Sequence, residues 1–429
     1  MEKIKVLIVG SGGREHTLAW KLSGSRVVSA LFCAPGNAGI SQLARCVPIK
    51  ADDIPGLVKF AKEEGIGLVV VGPEVPLTLG LVDALNEVGI KAFGPTQKAA
   101  EIEGSKAFAK DLMAKYGIPT ARYGVFTDAE TARNFAREMQ APWVVKADGL
   151  AAGKGVLICT TIEETDAAIA EVMLGETLKK AGEKIVIEEF LEGEELSILA
   201  FCDGKTIIPM VPAQDHKRIF DDDKGPNTGG MGAYSPVPAA TPELMQQITE
   251  LILKPVMAAM EAEGRPYSGV LYPGLMLTKE GPKVLEFNAR FGDPETQVIL
   301  PRLASDLAEI LLAAVDGKLQ ETEIEWKPQA CITVVMASGG YPGTYQTGCP
   351  IEGLDTAAAY EDVLAFHSGT AYKNGNYVTA GGRVLSITAL GQDIAEARER
   401  AYKAITAIQF QGAQYRKDIA HRAMRTKSG

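Results

Sequence analysis

Long apolar runs are missing from this 429-residue chain. No stretch approaches the roughly 18 residues that cross a bilayer. The opening Met1–Gly10 has too short an apolar stretch for a secretory leader and runs straight into a glycine turn, so no signal peptide is expected. Paired cysteine spacings are missing too. Cys33, Cys46, Cys159, Cys202, Cys331 and Cys349 are scattered without a CxxC pair, which disfavours zinc frameworks and a disulfide scaffold. Reduced thiols in a cytoplasmic protein are the simplest expectation. His16, His216, His367 and His421 show no HExxH spacing. There is no basic excess: 44 Lys plus Arg against 54 Asp plus Glu leave a net charge of −10. A polyanion's backbone rewards a basic surface, so neither nucleic acid nor membrane is an expected partner. A local basic pocket for a small phosphorylated ligand stays open.

What is present is ordinary globular material, 46% apolar and 23% charged, long enough for two to four domains. From residue 1 to about 104, short apolar runs (Val6–Val9, Ser29–Cys33, Leu68–Val71, Lys91–Phe93) alternate with helical patterns (Glu15–Leu22, Asp53–Glu64, Leu77–Val88). That alternation predicts a parallel α/β sheet. Each run ends in a Gly or Pro turn, which places the functional edge at the carboxyl ends of the strands. From about 105 to 325 the pattern becomes α+β and mostly antiparallel, in two lobes. A helix over Lys106–Tyr116 precedes the strands, and a hairpin of Val270–Leu277 with Lys283–Arg290 closes the section. Gln214–Pro236 reads as a long polar loop. A small α+β section follows from about 326 to 429.

Five stretches carry chemistry. Gly10-Ser11-Gly12-Gly13-Arg14-Glu15-His16 joins a strand to a helix, where free N–H groups suit an anion. Position 15 is Glu rather than Gly, and no acid ends the second strand, so a dinucleotide is disfavoured. The stretch is either a site for a phosphate monoester, with Arg14 forking onto its oxygens, or a tight β–α turn. Asp148–Val156 is rich in Gly and Ala but is not a Walker loop: three residues separate Gly149 from Gly153, and Gly155 follows Lys154. Lys146 precedes it on an otherwise apolar strand, and a phosphate would partner it. In Glu286-Phe287-Asn288-Ala289-Arg290, alternation puts Glu286, Asn288 and Arg290 on one face. A carboxylate and an amide oxygen two apart suit Mg²⁺, and Arg290 beyond them suits a transferring phosphoryl group. Val186–Glu195 joins two strands, where backbone groups can read an adenine edge. Gln214–Lys217 opens a loop with four glycines, suited to ordering over a substrate or to plain surface.

Together these stretches resemble the phosphoribosylamine–glycine ligase (glycinamide ribonucleotide synthetase) family of the ATP-grasp superfamily. The matching motifs are Gly10–His16, Ala34–Gly39, Gly72–Glu74, Glu103–Lys106, Lys146–Val156, Gln214–Lys217, Gly225–Pro236 and Glu286–Gln297. The resemblance implies three parts: an N-terminal α/β substrate-binding domain (1–104), an ATP-grasp domain (105–325, its small lobe at about 120–190) and a C-terminal domain (326–429). It implies joining of glycine to 5-phosphoribosylamine with conversion of ATP to ADP and phosphate, through an acyl phosphate of glycine, by a monomer. Lys106 and Lys146 would bind ATP phosphates under the loop of Gly149, Gly153, Lys154 and Gly155. Glu188 to Leu191 would hold adenine and Glu195 the ribose. Glu286 and Asn288 would ligate Mg²⁺ or Mn²⁺, and Arg290 would stabilise the transferring phosphoryl. Asp293 would receive the ammonium of glycine. Gly12, Gly13 and Arg14 would meet the ribose-phosphate substrate, with Asp215, His216 and Lys217 closing over it.

Two departures stand out. The strand before Glu286 carries no further acidic ligand, and Pro273 interrupts it, so an edge or bulged strand is expected there. Competing readings are another ATP-grasp ligase or a biotin-independent carboxylase, a dinucleotide-dependent oxidoreductase, and a non-catalytic nucleotide sensor. A sensor has no use for Lys146, Glu286, Asn288 and Arg290 together.

Overall fold

The computed structural model describes residues 3–150, 155–175 and 181–425. Strands β1 (Ile4–Gly10), β2 (Val28–Pro35), β3 (Arg45–Cys46), β4 (Leu68–Val71) and β5 (Lys91–Phe93) form a parallel sheet in the order β3-β2-β1-β4-β5. β1 and β4 are near-continuous apolar runs because both faces of the sheet are covered. The strand order reverses between β1 and β4, so the turns after them, Gly10–Gly13 and Gly72–Glu74, frame a crevice at the carboxyl edge. Asp53 caps the helix Ile54–Glu64 by accepting the Gly56 N–H. The single helix expected over Leu77–Val88 is two, Glu74–Thr78 and Leu81–Glu87. Gly80 breaks it with a left-handed φ of 84°.

Next comes an antiparallel sheet, ordered β6-β9-β7-β8, of β6 (Tyr123–Phe126), β7 (Trp143–Ala147), β8 (Val156–Cys159) and β9 (Ile185–Glu189). Helices Ala129–Glu138 and Ile162–Leu174 cover one face, burying Trp143, Val145 and Ile187 with Ala132, Ala136 and Ile169. Alternation therefore sends Lys146 and Glu188 to the other face, towards the centre of the molecule.

The central sheet contains β10 (Glu194–Ser197), β11 (Ala200–Asp203) and β12 (Ile207–Pro209). The stretch expected as a loop is instead built of β13 (Gln214–Asp215), β14 (Arg218–Phe220), β15 (Lys224–Asn227) and β16 (Gly232–Ser235). β14 pairs with β15 and β13 with β16 inside the stretch, and β16 also pairs with the distant strand Ala330–Ala337, which a local reading cannot see. β17 (Ser268–Thr278) and β18 (Gly281–Asn288) form the hairpin. β17 lies centrally, between β18 on one side and β10 and β11 in turn on the other, which corrects the edge-strand expectation. Pro273 is tolerated because it falls where the partner changes: β10 pairs with Gly274–Leu277 and β11 with Ser268–Leu271. A bulge does occur, in the pairing of β17 with β18 between Gly274 and Leu275.

β19 (Ala330–Ala337), β20 (Val363–His367), β21 (Thr370–Lys373), β22 (Asn376–Thr379) and β23 (Arg383–Gly391) follow. The last sheet runs β13-β16-β19-β23-β20, with helix Ile394–Ile405 packed on it. It thus takes two strands from the 214–235 stretch, which welds that stretch to the C-terminal part of the chain. Among the described residues no helix is long and apolar enough to cross a membrane.

Candidate active site

A cavity of about 490 Å³ lies where all these parts meet. The first sheet supplies Arg14 and Glu74, and the helices after it Glu103, Lys106 and Lys110. Gly155 and Glu188 come from the small lobe. Asp215, Lys217, Tyr272, Glu286, Asn288, Arg290, Asp293 and Glu295 come from the centre. Tyr341 and Arg383 come from the C-terminal part.

On one side stand the lysines. Ser105 caps helix Lys106–Tyr116, and Asp148 locks that helix end to β7 by accepting from Ser105 Oγ at 3.0 Å and the Ala107 N–H at 2.6 Å. Lys106 reaches the Gly149 carbonyl, 3.4 Å away, so the base of the glycine-rich loop and this lysine are neighbours. One helical turn on, Lys110 pairs with Glu188 at 2.9 Å, and Lys146 pairs with the other oxygen of the same carboxylate, also at 2.9 Å. All three groups are buried. Burial opposes the ionisation of Glu188, but Lys146 and Lys110 hold its carboxyl below the usual range. The side chain expected near adenine thus anchors two cations.

Next to Lys146, the bulge leaves Leu285 without a direct partner on β17, and its carbonyl accepts from Lys146 at 3.2 Å. Phe287 and Ala289 enter the core while Glu286 and Asn288 face the cavity. Burial works against the charge on Glu286, yet Lys217, Lys146 and Lys106 keep its carboxyl low. Among the described residues no side chain pairs with it. A carboxylate held ionised, facing a cavity, without a hydrogen-bond donor, is a fitting ligand for a hard cation. Asn288 offers its amide oxygen, which also accepts from Arg290 Nη2 at 3.2 Å. No cluster of three or more His, Cys, Asp or Glu suited to a metal occurs among the described residues. The donor set therefore fits a Mg²⁺-like ion that takes its remaining oxygens from phosphate and water.

Arg290 is bracketed. Its Nε meets Glu74 at 3.2 Å and its Nη2 meets Glu103 at 3.0 Å. Burial opposes its charge, but Glu103 and Glu74 raise the guanidinium above its usual value. Glu103 also accepts the Ala289 N–H at 2.6 Å.

At the Gly10–His16 turn, the anion site of the helix is already filled from within. Glu15 accepts the Gly12 N–H at 2.6 Å and pairs with Arg14 Nε at 2.6 Å. A side chain on Gly72 would strike this carboxylate at 2.0 Å. The dinucleotide reading is thereby weakened further, because the Gly12 N–H that would meet a pyrophosphate is already taken by Glu15. Gly12 has spent its N–H, and a side chain on Gly13 would meet Gln297 and Ser368 at 2.7 Å, so these two glycines serve close packing. Arg14 still lines the cavity and donates to the Phe291 carbonyl at 3.1 Å. Asp293 pairs with Arg383 at 3.2 Å and accepts from Gln297 at 2.8 Å. Burial opposes its charge, but Arg383 and Arg14 hold its carboxyl low.

The remaining expected residues divide. Asp215 and Lys217 line the cavity; Lys217 pairs with Glu195 at 2.8 Å, at the cavity's margin. Leu191 packs with Ala121, Met276 and Leu285 where the small lobe meets the central sheet. His216 does not line the cavity: alternation along the chain turns it the opposite way from Asp215 and Lys217, against the Ala420 backbone. Gly153 and Lys154 lie outside the described residues. Sequence reading gave no role to Glu74, Glu103, Lys110 or Arg383. Glu74 and Glu103 stand inside quoted motifs, and a helical offset of four from Lys106 singles out Lys110. Nothing local singles out Arg383.

Three family models match in succession: the Phosphoribosylglycinamide synthetase N domain over residues 4–103, the Phosphoribosylglycinamide synthetase ATP-grasp (A) domain over 104–296 and the Phosphoribosylglycinamide synthetase C domain over 331–422. A phosphoribosylamine–glycine ligase of Vibrio vulnificus (strain CMCP6) is 52% identical, covering 98% of this chain and 99% of its own. The crystal structure of the phosphoribosylamine–glycine ligase of Thermotoga maritima is 36% identical with a TM-score of 0.85, covering 97% of this chain and all (100%) of that one. A biotin carboxylase of Campylobacter jejuni shares the fold alone, at 15% identity and a TM-score of 0.75, covering 99% of this chain and 95% of that one. With its three sections matched in order and full-length relatives this similar, the chain belongs to the phosphoribosylglycinamide synthetase family, ligases built on the ATP-grasp fold.

Proposed function

We propose that the cavity joins glycine to 5-phosphoribosylamine, giving glycinamide ribonucleotide, ADP and phosphate, as a step of purine biosynthesis. One observation carries the reading: Lys106, Glu188, Glu286, Asn288 and Arg290 line a single cavity, with Lys146 held just behind its wall by Glu188 and the Leu285 carbonyl. A carboxylate is a poor acyl donor, so it must be activated. The glycine carboxylate oxygen attacks the γ-phosphorus, ADP leaves, and glycyl phosphate forms. The amine of phosphoribosylamine then attacks the glycyl carbonyl and phosphate leaves. The protein's work is positioning and charge neutralisation.

In this reading Lys106 and Lys146 bind the triphosphate beneath the Gly149–Gly155 loop. Residues 188–191 meet adenine, with Glu188 also holding Lys146, and Glu195 meets the ribose. Glu286 and Asn288 would hold Mg²⁺ or Mn²⁺, which when bound would neutralise charge on the phosphate oxygens. Arg290, already oriented by Glu74 and Glu103, faces the transferring phosphoryl. Asp293 takes the glycine ammonium, while Arg14, Asp215 and Lys217 meet the ribose phosphate. All six cysteines are free, which suits a cytoplasmic setting. The test is phosphate release from ATP with phosphoribosylamine present and glycine replaced in turn by alanine, serine or bicarbonate. Release with glycine alone is expected. Equal release with bicarbonate would make this a carboxylase and sink the reading.

A further inference from the structure

His216 sits in the chain between Asp215 and Lys217, which line the cavity, yet it faces away from it and is buried. Its Nε2 accepts the Ala420 N–H at 3.1 Å, and its Nδ1 faces Asp223 Oδ1 at 3.9 Å. The segment that carries Ala420 is itself pinned to the C-terminal helix Ile394–Ile405. Arg398 donates to the Lys417 carbonyl at 2.6 Å and to the Ile419 carbonyl at 3.1 Å, and Tyr402 donates to the Arg416 carbonyl at 2.7 Å. From that base the segment grips the 214–227 stretch by charge. The fully buried Arg416 pairs with Asp223 at 2.9 Å and with Asp418 at 2.8 Å, and Arg422 takes the other oxygen of Asp223 at 2.6 Å.

Three non-glycine residues at this junction have left-handed backbones: Asp222 with a φ of 59°, Asp223 with 52° and Ala420 with 65°. Such conformations persist only where the surroundings over-determine them. At Ala420 the bent backbone aims the N–H at His216. Burial pushes the His216 ring down to about 4, against the pull of Asp223, so near neutral pH its Nε2 keeps the lone pair that accepts this hydrogen.

We infer that His216 is a positioning residue: it fastens the cavity-lining stretch that carries Asp215 and Lys217 to the C-terminal segment 416–422 and thereby fixes where those two side chains meet the phosphoribosylamine. This rests on the roles proposed above for Asp215 and Lys217. β13 is only two residues long, and beyond it His216 and Lys217 are held on one side by backbone bonds to residues 228–232, so the His216 side chain supplies the hold on the other. The C-terminal part of the chain then contributes to the reaction without its last segment touching substrate.

The test compares the full chain with His216→Leu, which cannot accept the bond, His216→Gln, which can, and Arg422→Ala, which loosens the same segment from outside. Lys217→Ala is measured in parallel. ADP formation is followed against phosphoribosylamine at saturating ATP and glycine, and each variant's melting temperature is recorded. His216→Leu and Arg422→Ala are expected to raise the KM for phosphoribosylamine on the order of tenfold, as small misplacements of binding groups do, with His216→Gln within about threefold of the parent. A purely structural contact would lower the melting temperature and leave that KM alone in both His216→Leu and Arg422→Ala, and this result overturns the inference. Should His216→Leu fail to fold, Arg422→Ala against His216→Gln decides it by the same KM criterion. An unchanged KM in Lys217→Ala would overturn the substrate role of this wall and the inference with it. A raised KM in Lys217→Ala with unchanged values in the other variants removes the inference alone.

Discussion

Arg290 and Glu103 form a partly buried ion pair, Nη2 to Oε1 at 3.0 Å, that ties the end of β18 to helix Gln97–Gly104. Glu103 also holds the backbone of Ala289, so one carboxylate sets both the direction of the strand end and the aim of its arginine. With Glu74 on Nε, the guanidinium is placed before any substrate arrives.

Replacing Arg290 with Lys keeps the charge but loses the planar fork that reaches Glu74, Glu103 and Asn288 together. Turnover of Arg290→Lys is expected to fall about 10²- to 10³-fold at saturating substrates. Initial rates of ADP formation check this. A parent-like rate would show that a point charge suffices and that the bracket is irrelevant.

Glu286→Ala is expected to fold, since no side chain among the described residues is hydrogen-bonded to or ion-paired with that carboxylate, and to lose more than about 10²-fold in turnover for want of electrostatic stabilisation. Removing divalent cations from the parent with a chelator is expected to reproduce the loss. The hypothesis of a metal held by Glu286 fails if the variant, folded by circular dichroism, hydrolyses ATP at the parent rate with both other substrates present.

Arg14→Ala should weaken phosphoribosylamine more than ATP, because Arg14 lines the cavity from the N-terminal section, just after β1, and none of the groups proposed to hold ATP comes from that section. Separate KM titrations decide the point. Equal weakening of both substrates would remove the proposed N-terminal contact.

Asp215 carries a pH signature. Burial first, then Glu295 and Glu195, push its carboxyl up from 3.8 to about 7, against the pull of Lys217. Between those values the folded protein holds a proton that the unfolded chain releases. The stability from this group is thus fully present below about pH 4 and is lost as pH rises through about 7. In Asp215→Asn that loss is absent, so the variant should gain on the parent as pH rises across the window, by at most about 4 kcal/mol. Paired denaturant melts between about pH 4 and 8 measure the gap. A gap that stays flat, or that shrinks as pH rises, contradicts the assignment.

Much of this was readable from local pattern. The parallel sheet followed from apolar runs ending in Gly or Pro. Lys146, Glu286 and Asn288 were placed by the two-residue period of a strand, which holds wherever one face is buried. The Glu15 that argued against a dinucleotide proves to fill the anion site with its own carboxylate. The 214–235 stretch reads as a loop because its strands are only two to four residues long, and the one that ties it to the sheet, β16, finds its partner far away on β19. His216 was grouped with its neighbours for the same reason: which side of a short strand faces substrate depends on what packs behind it.

Residue order alone settled which groups are available: two lysines ahead of a glycine-rich stretch, an acid and an amide two apart, an arginine just beyond. Docking of the three sections settled their pairing. Arg290 needs Glu74, 216 residues away, and Asp293 needs Arg383 from the C-terminal sheet. Charges so far apart in the chain meet only through the packing of the layers that carry them, and only burial makes such pairs strong enough to hold a side chain in one direction.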